Sequence, residues 1–104
     1  MIFNPGFVPQ ASGGGCAVVG YYVGDGNLKR ALPFDFDPAI VLIYGSDSEV
    51  VAVCPSSKAF SSKGAYITVS WNSKSLNLSS TNASDSQAFN YKNNVFYWAA
   101  IPKA

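Results

Sequence analysis

The side chains in this chain that could do chemistry are two cysteines, six lysines, one arginine and six carboxylates, with no histidine at all. Histidine is the one side chain that titrates near neutrality unperturbed, so His-activated nucleophiles, His proton shuttles and His-rich zinc sites are excluded. Cys16 and Cys54 form no CxxC pair, and so make neither a redox motif nor half of a zinc site. They read as free thiols, with a single disulfide as the alternative. Asp35 and Asp37, one residue apart on an extended chain, point to one face as paired acid and base carboxylates would, but an aspartate before Pro38 is also an ordinary turn former. Arg30 is expected to pair with Asp35 or Asp37 across that corner. Asp25-Gly26 has the chemistry of a calcium ligand and of a primed hairpin turn, and the turn is the simpler reading. No converging set of activated groups remains, so the expectation is a chain without enzymatic activity, cofactor or metal.

Binding chemistry is better represented. Aromatics reach 14% of the chain, serine occurs fourteen times, and only thirteen side chains are charged. A pyranose stacks its apolar face on an aromatic ring while amides and hydroxyls hydrogen-bond its edges, which makes Tyr21, Tyr22, Tyr44, Tyr66, Trp71, Tyr97 and Trp98 the residues a sugar site would use. Trp71 and Asn72, beside the turn that follows them, then Tyr66 and Tyr44, are the candidate ligand-binding residues. The net charge is +1 and no basic run exists to neutralise phosphates, so nucleic acid is not an expected partner. No apolar stretch reaches the roughly 20 residues of a membrane helix, so membrane insertion is not expected either. Residues 1–10 lack the charged start and apolar run of a secretory signal, so export is not expected, and Asn77-Leu78-Ser79 and Asn82-Ala83-Ser84 are chance matches to the glycosylation sequon.

The elements that must position these residues are strands. From residue 16 on, no window of ten places apolar residues at helical spacing, whereas short runs of valine, isoleucine and aromatics recur between turn clusters. The spacing predicts an all-β antiparallel sandwich, jelly-roll-like, of seven or eight strands: 17–23, 29–32, 39–44, 49–54, 65–71, 75–78 and 95–101, with an extended piece at 87–90. Asp25-Gly26, residues 45–48 and residues 72–74 are the hairpin loops, and 55–64 and 79–86 are longer surface loops. Residues 1–15, punctuated by Pro5, Gly6, Pro9 and Ser12-Gly13-Gly14-Gly15, read as an extended arm ahead of a domain at 16–104. Two strands alternate apolar with polar, as sheets with one wet face do: 65–71 and 75–78. Strands 39–44, 50–54 and 95–101 are apolar on both faces, and with no helix to cover the second face, another subunit is expected there, with the N-terminal arm as the alternative. The candidate interface residues are Ile40, Leu42, Val51, Val53, Phe96 and Trp98.

Two stretches carry a resemblance. Gly20-Tyr21-Tyr22-Val23-Gly24-Asp25-Gly26, then Arg30-Ala31-Leu32, then Phe36-Asp37-Pro38 leading into Ile40-Val41-Leu42-Ile43 form the first. Phe89-Asn90 followed by Asn93-Asn94-Val95-Phe96-Tyr97-Trp98-Ala99-Ala100 form the second. Together they cover about half of the domain and resemble the β-sandwich domains at the carboxyl ends of phage tail-fibre, tail-spike and minor tail proteins. The departures are Asp25 for an asparagine in the turn, one extra residue before Arg30, Asp35 for a glycine, and Phe96 and Trp98 for tyrosines. The resemblance implies a homotrimeric adhesion tip that engages a bacterial surface glycan or protein. It also implies assembly in the host cytoplasm into a virion tail, beside other virion proteins. A purely structural tail or capsid-decoration protein is the alternative.

Overall fold

The computed structural model describes residues 17–103; the arm at 1–15 and Cys16 lie outside them, and with Cys16 the question of a disulfide. Eight strands and one helix follow in chain order: β1 (Val18–Val23), β2 (Lys29–Pro33), β3 (Pro38–Tyr44), β4 (Glu49–Val53), β5 (Lys58–Ser61), β6 (Ile67–Asn72), β7 (Ser75–Ser79), α1 (Ala83–Asn90) and β8 (Val95–Pro102). Every strand pairing is antiparallel, in the order β1-β8-β3-β4-β5-β6-β7-β2. The all-β antiparallel class expected from the sequence is therefore the observed one, as one curled sheet.

The curl follows from connectivity. β1 and β2 are the two edges of the sheet, yet only residues 24–28 join them, and five residues reach at most ~18 Å when extended. Eight strands laid flat would separate those edges by ~34 Å at the usual strand spacing. The sheet must bend back on itself, and β5 is the corner. Its first half, Lys58 and Ala59, pairs with β6, and its second half, Phe60 and Ser61, pairs with β4. The half β1-β8-β3-β4 thus faces the half β6-β7-β2 across a core of Val41, Ile43, Val50, Ile67, Leu76, Leu78, Phe89 and Phe96, each 2% exposed or less. Among the described residues no helix is long and apolar enough to cross a membrane.

Four expectations need correction. Residues 58–61, assigned to a surface loop, form β5; their four-residue Lys-Ala-Phe-Ser run is too short for alternation to register. Residues 79–86 and 87–90 are neither a loop throughout nor extended: helix α1 begins at Ala83 and its last turn holds Phe89 and Asn90. The helix opens on Asn82, whose Oδ1 accepts from the Asp85 amide at 2.8 Å while its Nδ2 donates to Asp85 Oδ2 at 3.2 Å. That reciprocal cap was the readable signal, since the helix has no apolar stripe. Asp25-Gly26 does place glycine at φ +82°, but β1 and β2 do not pair, so the turn closes no hairpin. The hairpins expected at 45–48 and 72–74 are present, with Tyr44 opposite Glu49 and Asn72 opposite Ser75.

Candidate functional site

Alternation along each strand of a curled sheet sends one set of side chains to the core and the other to solvent, and the two halves differ in what they expose. On β6, β7 and β2 the outward residues in register are Thr68, Ser79 and Lys29, then Ser70, Asn77 and Ala31, then Asn72, Ser75 and Pro33. This is the wet face expected of residues 65–78. On the other half the outward row runs Val19, Ala99, Leu42, Val51 and Phe60 across β1, β8, β3, β4 and β5. The next row runs Tyr21, Tyr97, Tyr44 and Glu49, and the row on the other side runs Ile101, Ile40 and Val53. Glu49 is the one charge in these three rows.

This second face is large. Val19 is 73% exposed, Tyr21 68%, Phe60 67%, Tyr44 58% and Tyr97 56%, with Val23, Leu42, Val53, Val95 and Ile101 also open to solvent. Scaled by full side-chain areas of roughly 150–250 Å², these ten leave ~1,000 Å² of contiguous apolar surface, against about 300–600 Å² for the largest patch on an ordinary monomer. Ile40, Leu42, Val51 and Val53, four of the interface residues expected from the sequence, lie on it. Phe96 and Trp98 do not. Phe96 is 2% exposed and stacks on Tyr22 with ring centres 5.4 Å apart; Trp98 meets Phe34 edge to face at 5.0 Å and lies against the bare Cα of Gly20. The outward residues of β8 are Val95, Tyr97, Ala99 and Ile101. Every residue from 95 to 101 is apolar, so the strand's own pattern could not distinguish its two faces.

A second cluster holds the two sheet edges together. Asn90, fully buried at the end of α1, spends its whole amide on the link between β1 and β2. Its Oδ1 accepts from the Asp25 amide at 3.2 Å and from Arg30 Nη1 at 3.3 Å, and its Nδ2 donates to Asp25 Oδ1 and to the Asn27 carbonyl at 3.1 Å. The Asn90 carbonyl accepts from the Gly26 amide at 2.9 Å. Arg30 pairs with Asp25 at 3.7 Å and not with Asp35 or Asp37 as expected. Nη1 of Arg30 also donates to the Val23 carbonyl at 3.0 Å, and the guanidinium lies 4.4 Å over the Tyr22 ring. Asp37 instead accepts from the Lys74 amide at 2.8 Å, tying its corner to the turn between β6 and β7. The Tyr22 hydroxyl donates to the Phe89 carbonyl, and burial pushes its pKa far above the ordinary phenol value, against the pull of Arg30. The Asp25 carboxyl sits below the usual range, chiefly because the Asn27 amide donates to it, with Asn90 adding to the effect. Residues of both stretches that carry the tail-protein resemblance, Tyr22 through Arg30 and Phe89-Asn90, meet in this clasp across 60 positions of sequence.

The four candidate ligand residues do not converge. Trp71 points inward beside Leu76, half-buried, and its Nε1 donates to the Ser56 carbonyl at 2.8 Å. Asn72 lies on the outer, polar face of the same strand. Tyr66 is exposed with the Lys58 ammonium 4.9 Å over its ring, and Tyr44 belongs to the apolar face of the other half. Among the described residues no group of three or more Cys, Asp or Glu side chains is placed to hold a metal. Sequence reasoning missed Asn90 and Phe60 as members of sites, and it read Tyr21, Tyr44 and Tyr97 as sugar-stacking rings without placing them side by side in one row of the apolar face. No protein-family model, curated protein or solved structure matches the chain.

Proposed function

We propose that this chain is a non-enzymatic domain of a phage or phage-like tail that assembles as a homo-oligomer, a trimer by the resemblance, and acts in host-surface adhesion. The observation that carries the assembly half of this reading is the apolar outer face of β1-β8-β3-β4. Its ~1,000 Å² exceeds the roughly 800 Å² per partner of a standard stable interface, and a single charge interrupts it. Adhesion rests on the resemblance, part of whose residues, Tyr22 to Gly26, Arg30 and Phe89-Asn90, meet in the clasp. The hydroxyl and amide rows of β6-β7-β2 are the surface left open to a bacterial glycan or protein once the apolar face is covered. Light scattering at micromolar concentration tests assembly, with a monomer counting against it. A glycan array with host-cell binding tests adhesion, and saturable binding is the expected result.

The scatter of Trp71, Asn72, Tyr66 and Tyr44 favours a second reading: a purely structural virion protein, in the tail or as capsid decoration, whose partners are other virion proteins. That reading expects assembly with no saturable binding to glycans or cells.

A further inference from the structure

The apolar face has relief, and the relief is directional. In the row Val19-Ala99-Leu42-Val51-Phe60, Ala99 is the one small side chain, so a hollow opens over it, walled by Val19, Tyr21, Leu42, Tyr44 and Tyr97 and almost wholly apolar. At the other end of the same row Phe60 stands 67% exposed on β5, the strand where the sheet turns its corner. A protruding ring and an apolar hollow therefore sit on one face, three strands or ~14 Å apart.

We infer that Phe60 of one copy seats in the hollow over Ala99 of a second copy, each copy giving its ring to one neighbour and its hollow to the other. This rests on the assembly reading above and specifies its contact. The curl of the sheet makes the apolar face convex, and two convex faces pressed together touch along one strip only. Three rounded bodies in mutual contact each touch two neighbours, along strips 60° apart on the same face. A curled sheet whose halves stack ~10 Å apart, with ~5 Å of side chain outside each, has an outer radius of ~10 Å. Sixty degrees of that circumference is ~10 Å, comparable to the spacing of ring and hollow. A ring of three copies thus uses the two ends of the row as its two strips and leaves the β6-β7-β2 face outward. The contact is head-to-tail, and a rotation that closes after three copies leaves no free ring or hollow.

The experiment measures the mass of the full chain by light scattering and sedimentation over a dilution series, with far-UV circular dichroism confirming the fold of each variant. Phe60→Ala removes the ring and Ala99→Phe fills the hollow. Each withdraws three contacts from a ring of three, and with about 10- to 100-fold per buried aromatic the concentration of half-dissociation, which follows the square root of a trimer's dissociation constant, is expected to rise about 30- to 1,000-fold. The double variant F60A/A99F places the ring on the opposite partner, and is expected to regain assembly that either single variant lost. An oligomeric parent whose two single variants dissociate no more readily than it does overturns the ring-and-hollow contact and leaves the assembly reading standing. A parent that stays monomeric at tens of micromolar overturns both, and assigns the cover of the face to residues 1–16 or to a different protein.

Discussion

Replacing Asn90 with alanine removes the one side chain that bonds both sheet edges' connecting link from inside the protein. Asn90 is fully buried, and its amide satisfies the Asp25 N–H, the Asn27 carbonyl, the Asp25 carboxylate and one Arg30 N–H. A buried polar group that loses its partner costs about 1–3 kcal/mol. Two of the four lie on exposed chain where water replaces asparagine, and Arg30 Nη1 keeps the Val23 carbonyl, which leaves the Asp25 N–H as the expensive loss and the Arg30 contact as a smaller one. A small cavity adds to them, and the sum is ~3 kcal/mol. Against a total of about 5–15 kcal/mol for a domain this size, that is a fifth or more of the stability. Urea unfolding followed by the fluorescence of Trp71 and Trp98 measures it. Pairing Asn90→Ala with Asp25→Ala in a double-mutant cycle isolates the coupling, and the two effects are expected to be non-additive. A loss below ~1 kcal/mol for the single variant, or additive effects in the cycle, would refute the claim that this side chain holds the curl closed.

Gly24→Ala is expected to be comparably damaging, because a Cβ there would fall 2.1 Å from the Tyr91 carbonyl oxygen and 2.8 Å from backbone carbon of Asn90; a thermal melt within 2 °C or so of the parent would contradict that close approach. The lowered pKa of Asp25 means its carboxylate supports the fold above the ordinary carboxylate pKa of about 4 and ceases to as acid protonates the folded form, so stability should fall below about pH 4, less steeply in Asp25→Asn. The raised pKa of Tyr22 works at the other end: the unfolded phenol ionises near pH 10 while the folded one resists, so stability is lost as pH climbs past about 10. Unfolding curves of Tyr22→Phe at pH 8 and above 10 check this, the expected result being a parent that loses more stability over that interval than the variant.

Strand existence was legible where composition and turns agreed. Ile40 to Tyr44 between Pro38 and Gly45, and Ile67 to Trp71 ahead of Asn72-Ser73-Lys74, needed nothing beyond β-branched runs and turn formers. The excess of apolar faces was legible too, because Val41 and Ile43 fill a core that has no room for Ile40 and Leu42 as well. Which face of β8 is the core was not, since alternation carries no information in Val-Phe-Tyr-Trp-Ala-Ala-Ile. The tertiary partner decides: Trp98 faces Gly20 across the β1-β8 ladder, and only the side bearing glycine accommodates the indole. Helix α1 escaped because its apolar residues, Ala83, Ala88 and Phe89, form no stripe, and its Asn82-x-x-Asp85 cap overlaps a sequon-like string. The clasp escaped for a different reason. Each of its members is bland in isolation, and their meaning comes from a closure that joins residues 25–30 to residue 90.

The shortage of charge and the curl of the sheet explain one another. Charged residues make up 12% of the chain, about half the usual share, and they are not thinned evenly. Asp25, Lys29 and Arg30 sit at the clasp, Asp35, Asp37 and Lys74 at one corner, and Asp47, Lys63 and Asp85 around the loops beside α1. The outward rows of β1-β8-β3 carry none. A closed barrel pairs its two edge strands and needs no side chains to hold them, whereas this sheet leaves the edges unpaired and closes through Asn90 and Arg30. Charge is therefore concentrated at the loops and the unpaired link, and β1, β8 and β3 present uncharged, mostly apolar side chains to the outside. Adding charge to Leu42 would leave the inward Val41 and Ile43 untouched, so the bare outer face is not a requirement of the core. It depends on what the face meets, which in the proposed assembly is a second copy of the chain.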